Sequence, residues 1–309
     1  MDNLDYLINE IFDEIKNYEK SSNEIPIAYQ GVLLYHYTSI NGLMGILEEK
    51  SFRISQANFL NDSLEIKYIK ECVRNTIEGM NIKNSELFDE LCDYIGMAEH
   101  EFNWDPSFWA NNAYILSLSE NPDSLMLWSY YSKFDGYNLG IDFYKLLHSC
   151  DRDRIINLHG KVIYDEYEQS RRVRDKINGI LDIYNKYAAC LPDGDLRTIR
   201  KHLIERFILK MGIYSLFFKH PSFKHEEEYR LVSNIYLDLN PKFRNSNGVI
   251  IPYIQLPIEK GNFLPVKTIT IGPKNNIDIA EKGVKNFIQS IGYNSSDIKV
   301  NKSKVPLRY

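Results

Sequence analysis

The sequence predicts an α+β protein: a mixed sheet carrying helical insertions and an N-terminal helix. Three observations point there. Short runs with strand-like alternation are interleaved with longer segments of helical period. No internal repeat, low-complexity tract or Pro/Ser-rich linker divides the chain. And 309 residues at 44% hydrophobic content suffice to bury a large core. The economical reading is a single domain over residues 1–309, with an N-terminal helix in 1–20 and a helical insert at 167–218.

Leu4, Leu7, Ile8, Ile11, Phe12 and Ile15 recur at helical spacing behind Asp2 or Asn3 as cap, so the first helix reads as an appendage on the body. A strand over Val32 to Tyr37, a helix from Ile40 to Glu49 that Ser39 can cap, and a strand at Phe52 to Ile54 follow in β-α-β order. A loop ending in Asn61-Asp62 leads to two amphipathic helices, about Ser63 to Gly79 and Ser85 to Phe102. The strand Tyr114 to Ser119 feeds a helix carrying Trp128, Tyr130 and Tyr131, with Asn121 expected as its cap and Pro122 as its first residue. Past a turn at Asp135-Gly136, strands are expected at Asn138 to Phe143 and Lys161 to Tyr164. The helical stretch Tyr167 to Phe218 breaks near Pro192-Asp193-Gly194. Strands at Glu226 to Tyr236, Val249 to Leu256 and Val266 to Ile271, a helix from Ile277 to Ile291 and a strand at Ile298 to Val300 complete the order.

Composition narrows the function classes. A net charge of -5 gives no global basic field of the kind that drives salt-sensitive duplex binding, although a local groove for nucleic acid stays open. Cys72, Cys92, Cys150 and Cys190 are far apart and form no CxxC pair, so neither a zinc ribbon nor a compact disulfide framework is signalled. With no export-like N-terminus and no apolar run of membrane-spanning length, a cytoplasmic location without a membrane partner is expected. Neither a Walker loop nor GxGxxG occurs, which disfavours an ATPase or a Rossmann dehydrogenase.

Two distant segments place ionisable groups inside strand-like runs: Leu34-Tyr35-His36-Tyr37-Thr38-Ser39 and His225-Glu226-Glu227-Glu228-Tyr229-Arg230. On a strand, Glu226 and Glu228 would leave the same face, and two adjacent like charges cost stability unless something compensates them. Neutralising one of them is then expected to leave stability unchanged or raise it. A packing interpretation stands beside the functional one. His36 would be a satisfied core histidine, Trp128, Tyr130 and Tyr131 core aromatics at helical spacing, and Glu226 and Glu228 a solvated face on which Arg230 is an ion-pair partner.

The ordered set of motifs resembles a bacterial family, domain of unknown function 2971. It comprises Leu34 to Ser39, Gly45-Ile46-Leu47, Phe52-Arg53-Ile54-Ser55, Phe59-Leu60-Asn61-Asp62, Ser117-Leu118-Ser119-Glu120, Met126 to Tyr131 with Gly136 and Gly140-Ile141-Asp142, Val162-Ile163-Tyr164, Glu226-x-Glu228-Tyr229-Arg230, Ile271-Gly272-Pro273 and Ser303 to Arg308. That family looks related to the ADP-ribosyltransferase fold, a split sheet with a His-Tyr-Glu set of the diphtheria-toxin-like class. The resemblance implies NAD as substrate and transfer of ADP-ribose to an unknown acceptor: protein, nucleic acid or small molecule. By analogy such a chain serves as a toxin or phage-defence effector. It implies that His36 hydrogen-bonds a ribose hydroxyl with Tyr37, Thr38 and Ser117 nearby, and that Tyr131 stacks on nicotinamide with Trp128 shaping the same wall. Glu228 would stabilise the oxocarbenium-like transition state and Glu226 would serve the acceptor. Tyr130 is equally close in sequence to the aromatic role, and which carboxylate is catalytic stays open. Two other classes remain: a non-catalytic partner-binding module on the same fold, and a metal-dependent hydrolase or nuclease using His220, His225, Glu226 and Glu228. The second lacks convergent spacing, so no metal ligands are assigned.

Overall fold

The computed structural model describes residues 3–20, 25–28, 31–60, 65–83, 85–96, 112–150, 156–233, 240–246, 248–256, 258, 263–275 and 278–306. It is an α+β protein with an N-terminal helix and a mixed, mostly antiparallel sheet of ten described strands. The chain forms two compact units, each assembled from three segments: residues 1–25, 62–110 and 163–221, and residues 26–61, 111–162 and 222–309.

The first unit is helical. It contains α1 (Asn3–Lys20), α3 (Glu65–Glu78), α4 (Glu86–Tyr94), α7 (Glu166–Tyr187) and α8 (Asp193–Ser215). Ile11 and Ile15 of α1 are buried with Ile69, Val73, Leu87, Leu91, Ile177, Ile180, Leu203 and Phe207, so α1 is part of this core and not an appendage. Asp165 starts α7 by accepting the Glu168 N–H at 2.8 Å. The expected helix over Ser85 to Phe102 is described as far as Tyr94, and residues 97–102 lie outside the described residues, as does Asn61-Asp62.

The second unit holds the sheet: β1 (Leu33–Thr38), β2 (Arg53–Gln56), β3 (Tyr114–Ser119), β4 (Tyr137–Asp142), β5 (Ile156–Lys161), β6 (Glu228–Ser233), β7 (Lys242–Ser246), β8 (Val249–Gln255), β9 (Val266–Ile271) and β10 (Lys299–Lys302). Its order is β10-β9-β4-β1-β3-β2-β8-β7, with β6 on the other edge of β3 and β5 beyond it. Among the described strands only β9 and β10 pair in parallel. α2 (Ile40–Glu49), α6 (Phe143–Ser149) and α9 (Asp278–Ser290) bury Leu43, Ile46, Leu47, Leu146, Val284 and Ile288 in one core with Leu34, Leu116, Leu118, Leu139, Tyr229 and Leu231. Ser39 caps α2 through Gly42 N–H, and Lys50 ends it in a left-handed conformation at φ 50°.

The opposite face carries α5 (Leu125–Ser132), whose Leu127 and Trp128 pack on Tyr37. Ser124, not Asn121, is its cap, accepting Leu127 N–H, and Pro122 lies before the helix. Asn121 instead accepts the Asp123 N–H with its side-chain oxygen, a local turn that competes with helix initiation. The strand expected at Lys161 to Tyr164 ends at Lys161. β7 was not expected: it is a mostly exposed edge strand, Lys242–Ser246, with no apolar alternation to announce it. The strand expected over Glu226 to Tyr236 begins at Glu228, and residues 234–236 lie outside the described residues.

The carboxylate of Asp123 ties α5 to the chain's last described segment. It accepts from Trp128 Nε1 (2.7 Å), Ser303 Oγ (2.6 Å) and Lys304 N (2.7 Å). Trp128 has no solvent exposure, so removing this acceptor strands a buried indole N–H. Asp123→Ala should therefore lower the free energy of unfolding by about 3 kcal/mol in denaturant titration. Ending the chain at Lys302 should cost part of the same amount.

Candidate active site

The site is built around one strand. On one edge β3 pairs with β6 along its length, from Ile115 opposite Val232 to Ser119 opposite Glu228. Its other edge is shared: β2 meets Tyr114 and Ile115, whereas β1 meets only Ser119. Between them Ser117 has a register partner on β6 alone, and it is the one residue of β3 that is not fully buried.

His36 fills this split from β1. Its Nδ1 lies 3.3 Å from the Ser117 carbonyl and its ring meets Phe52 edge-on at 5.4 Å. A carbonyl only accepts, so Nδ1 carries the proton and the neutral ring presents Nε2 as an acceptor. Burial lowers the His36 pKa to about 4; the Ser117 bond opposes this and the Arg244 charge adds to it. By strand parity His36 shares the face of Leu34 and stands opposite Leu139, both in the α2-side core.

The acidic segment does not form one strand face. Pro221–Glu226 is a 3-10 helix, β6 starts at Glu228, and Glu227 between them is left-handed at φ 44°. The expected side-by-side display of Glu226 and Glu228 on a strand is therefore replaced by a bend. Glu120 N–H donates to the Glu227 carbonyl (2.9 Å) and Asn121 Nδ2 to its carboxylate (2.8 Å). Ser119 Oγ donates to the Glu226 carbonyl (2.7 Å) while accepting Asn121 N–H (3.0 Å). A non-glycine residue held in this region is strained, and strain held by several bonds is a mark of sites that serve function.

Both flanking carboxylates are buried, each about 6% exposed. Glu228 is gripped by Arg230, Nε to Oε1 at 2.9 Å and a second guanidinium nitrogen to Oε2 at 3.0 Å, so Arg230 supplies the compensation that the sequence required. Glu226 receives the Tyr131 hydroxyl at 3.4 Å. Tyr131 is partly exposed, which links this carboxylate to the surface. Tyr130 is more exposed and its ring lies 6.1 Å from that of His225.

The remaining expected residues divide. Tyr37 donates to the Asn121 carbonyl (2.8 Å), accepts Ser124 N–H (2.9 Å) and stacks edge-on against Trp128 at 4.8 Å. Burial raises its pKa, and its hydroxyl is spent on structure. Thr38 is buried, with its Oγ1 1.9 Å from where a Cβ on Gly42 would fall. Trp128 is core. Parity puts Ser117, Ser119, Glu228 and Arg230 on one face of the sheet and His36 on the other, so the register does not gather His36 with the carboxylates. Sequence reading missed Arg244 of β7, which donates to Ser55 Oγ of β2 at 3.0 Å beside the split. An isolated arginine in an exposed run gave no signal.

Among the described residues no group of three or more His, Cys, Asp or Glu is arranged to hold a metal ion, and no helix is long and apolar enough to cross a membrane.

The geometry defines an α+β chain with a bent pair of buried carboxylates beside a split strand edge. A family model described as Protein of unknown function (DUF2971) matches residues 127–231, which includes most of α5, the bend and most of β6. No curated protein and no solved structure matches the chain.

Two outcomes follow. Glu228→Gln removes a charge that the buried Arg230 guanidinium grips through two nitrogens and should destabilise by about 3 kcal/mol, with Glu228→Gln combined with Arg230→Met recovering part of the loss in urea unfolding. This reverses the sign expected for relief of repulsion. For His36, the folded pKa lies below the unfolded value of about 6.5, so its contribution is fully present above pH 6.5 and is lost as pH falls toward 4. His36→Gln should flatten the stability profile over that window.

Proposed function

We propose that the sheet unit catalyses NAD-dependent transfer of ADP-ribose to an acceptor that is a protein, nucleic acid or small molecule. The observation that carries this reading is the strained Glu226-Glu227-Glu228 bend, with the Tyr131 hydroxyl on Glu226. Heterolysis of the ribose–nicotinamide bond sends the bonding electron pair to nicotinamide and leaves positive charge on the ribose. A pre-placed carboxylate in a poorly hydrated site stabilises that charge. Glu226 is the candidate for this contact because its carboxylate accepts from the partly exposed Tyr131. The acceptor's nucleophile then bonds to the ribose carbon and gives up its proton to solvent water. His36, neutral with Nε2 as acceptor, suits a sugar hydroxyl at the split. The split edge of β3 supports the same reading, as does the resemblance of the motifs to a family that looks related to ADP-ribosyltransferases. The toxin or phage-defence role belongs to the same proposal by analogy alone.

A second reading is a partner-binding module without turnover. The Glu228–Arg230 fork and the strand parity that separates His36 from Glu228 favour it.

The test is turnover of NAD with and without cell lysate, followed by mass analysis for added ADP-ribose. Glu226→Gln should lower turnover by about two to three orders of magnitude while NAD affinity stays within a few-fold. Unchanged turnover in Glu226→Gln would remove the carboxylate role. Absence of any turnover by the folded wild-type chain would favour the binding module.

A further inference from the structure

We propose that Arg244 and Ser55 form a site for a phosphate or pyrophosphate group at the split between β1 and β2. Arg244 lies on β7 and reaches across β8 to Ser55 Oγ on β2 at 3.0 Å. Ser55 is buried and stands opposite Ile115, two residues from Ser117, where the edge of β3 opens. Arg244 and Ser55 lie on the same face of the sheet as Ser117, Ser119 and Glu228, by the strand register.

The charge balance at this point is incomplete. Arg244 is only partly exposed and its Nε is buried without a hydrogen-bond partner among the described residues. The other arginine close by, Arg53, is itself engaged by both oxygens of Glu49, which also accepts from Gln255 at 3.1 Å. Glu49 is thus committed, and Arg53 acts on Arg244 only as a like charge. Burial and then Arg53 lower the Arg244 pKa, as expected for a cation lacking a counter-ion. His36 stays neutral and supplies no further positive charge.

A planar guanidinium whose Nε has no partner among the described residues offers two parallel donors to one oxyanion, the geometry that phosphoryl oxygens accept in fork fashion. Ser55 Oγ holds the other end of that fork in place. The anion site stands on this geometry alone. That its phosphate belongs to a dinucleotide rests on the function proposed above.

Calorimetric titration of the full chain with inorganic phosphate, inorganic pyrophosphate and ADP-ribose at low and moderate salt tests this. Wild type should bind at least one of them, more weakly as salt rises. Arg244→Gln should weaken that binding by at least tenfold, Arg244→Lys by less, and Ser55→Ala by a few-fold, while Arg53→Gln changes it little. Melting curves show whether each variant is folded. Tighter binding of ADP-ribose than of pyrophosphate identifies a nucleotide source; equal binding identifies free phosphate species. The proposal is overturned if folded Arg244→Gln binds like wild type, or if no probe binds wild type at millimolar concentration. Glu226→Gln should bind pyrophosphate normally, and absence of NAD turnover by the folded wild-type chain with Arg244-dependent binding intact would sink the transfer reading and leave the anion site standing.

Discussion

The edge of β3 is the constraint on which the rest of the sheet unit depends. One edge of this strand is continuous with β6, and the other is divided between β2 at its start and β1 at its end. Backbone donors and acceptors at the division still need partners, since an unpaired buried carbonyl costs free energy. His36 meets that need with a side chain where a strand would have used an amide. The imidazole is therefore fixed in one tautomer by the same gap that makes the region accessible.

The charges around this strand are handled in two different ways. Glu228 and Arg230 form a forked pair two residues apart on one strand face, each offsetting the other's desolvation. Glu226 precedes the left-handed Glu227 and its carboxylate accepts the Tyr131 hydroxyl. Arg244, on the far side of the split, has a hydroxyl partner and no carboxylate among the described residues. Satisfied pairs hold a structure together. Charges left with neutral partners are where a ligand's own charge is worth most, because the low local dielectric magnifies it.

Packing on the α5 face explains why several conspicuous residues are structural. Tyr37, Trp128 and Asp123 form a chain of contacts in which every polar atom named above has a partner, running from β1 through the start of α5 to Ser303 and Lys304. Of the aromatic trio on α5, helical spacing turns Trp128 inward and leaves Tyr130 and Tyr131 outward. Three residues adjacent in sequence thus have different work, and only the outward pair can meet a ligand.

The sequence by itself determined the helices and strands whose apolar period is strong. The α2 helix with its Ser39 cap, β3 and β9 lie where spacing and capping place them, because those signals are local. It also identified Glu226, Glu228 and Arg230 as charges needing an explanation. What it did not determine was the answer. The break at Glu227 depends on Glu120 and Asn121, more than 100 residues away, so local alternation read one strand where tertiary bonds impose a bend. The Ser124 cap displaced Asn121 because a side-chain turn at Asn121 was the stronger local option. β7 and Arg244 were invisible because an exposed edge strand needs no apolar pattern. Which face each residue occupies, and so which charges meet, was decided by strand register alone, and register is a property of pairs of distant segments that no single segment encodes.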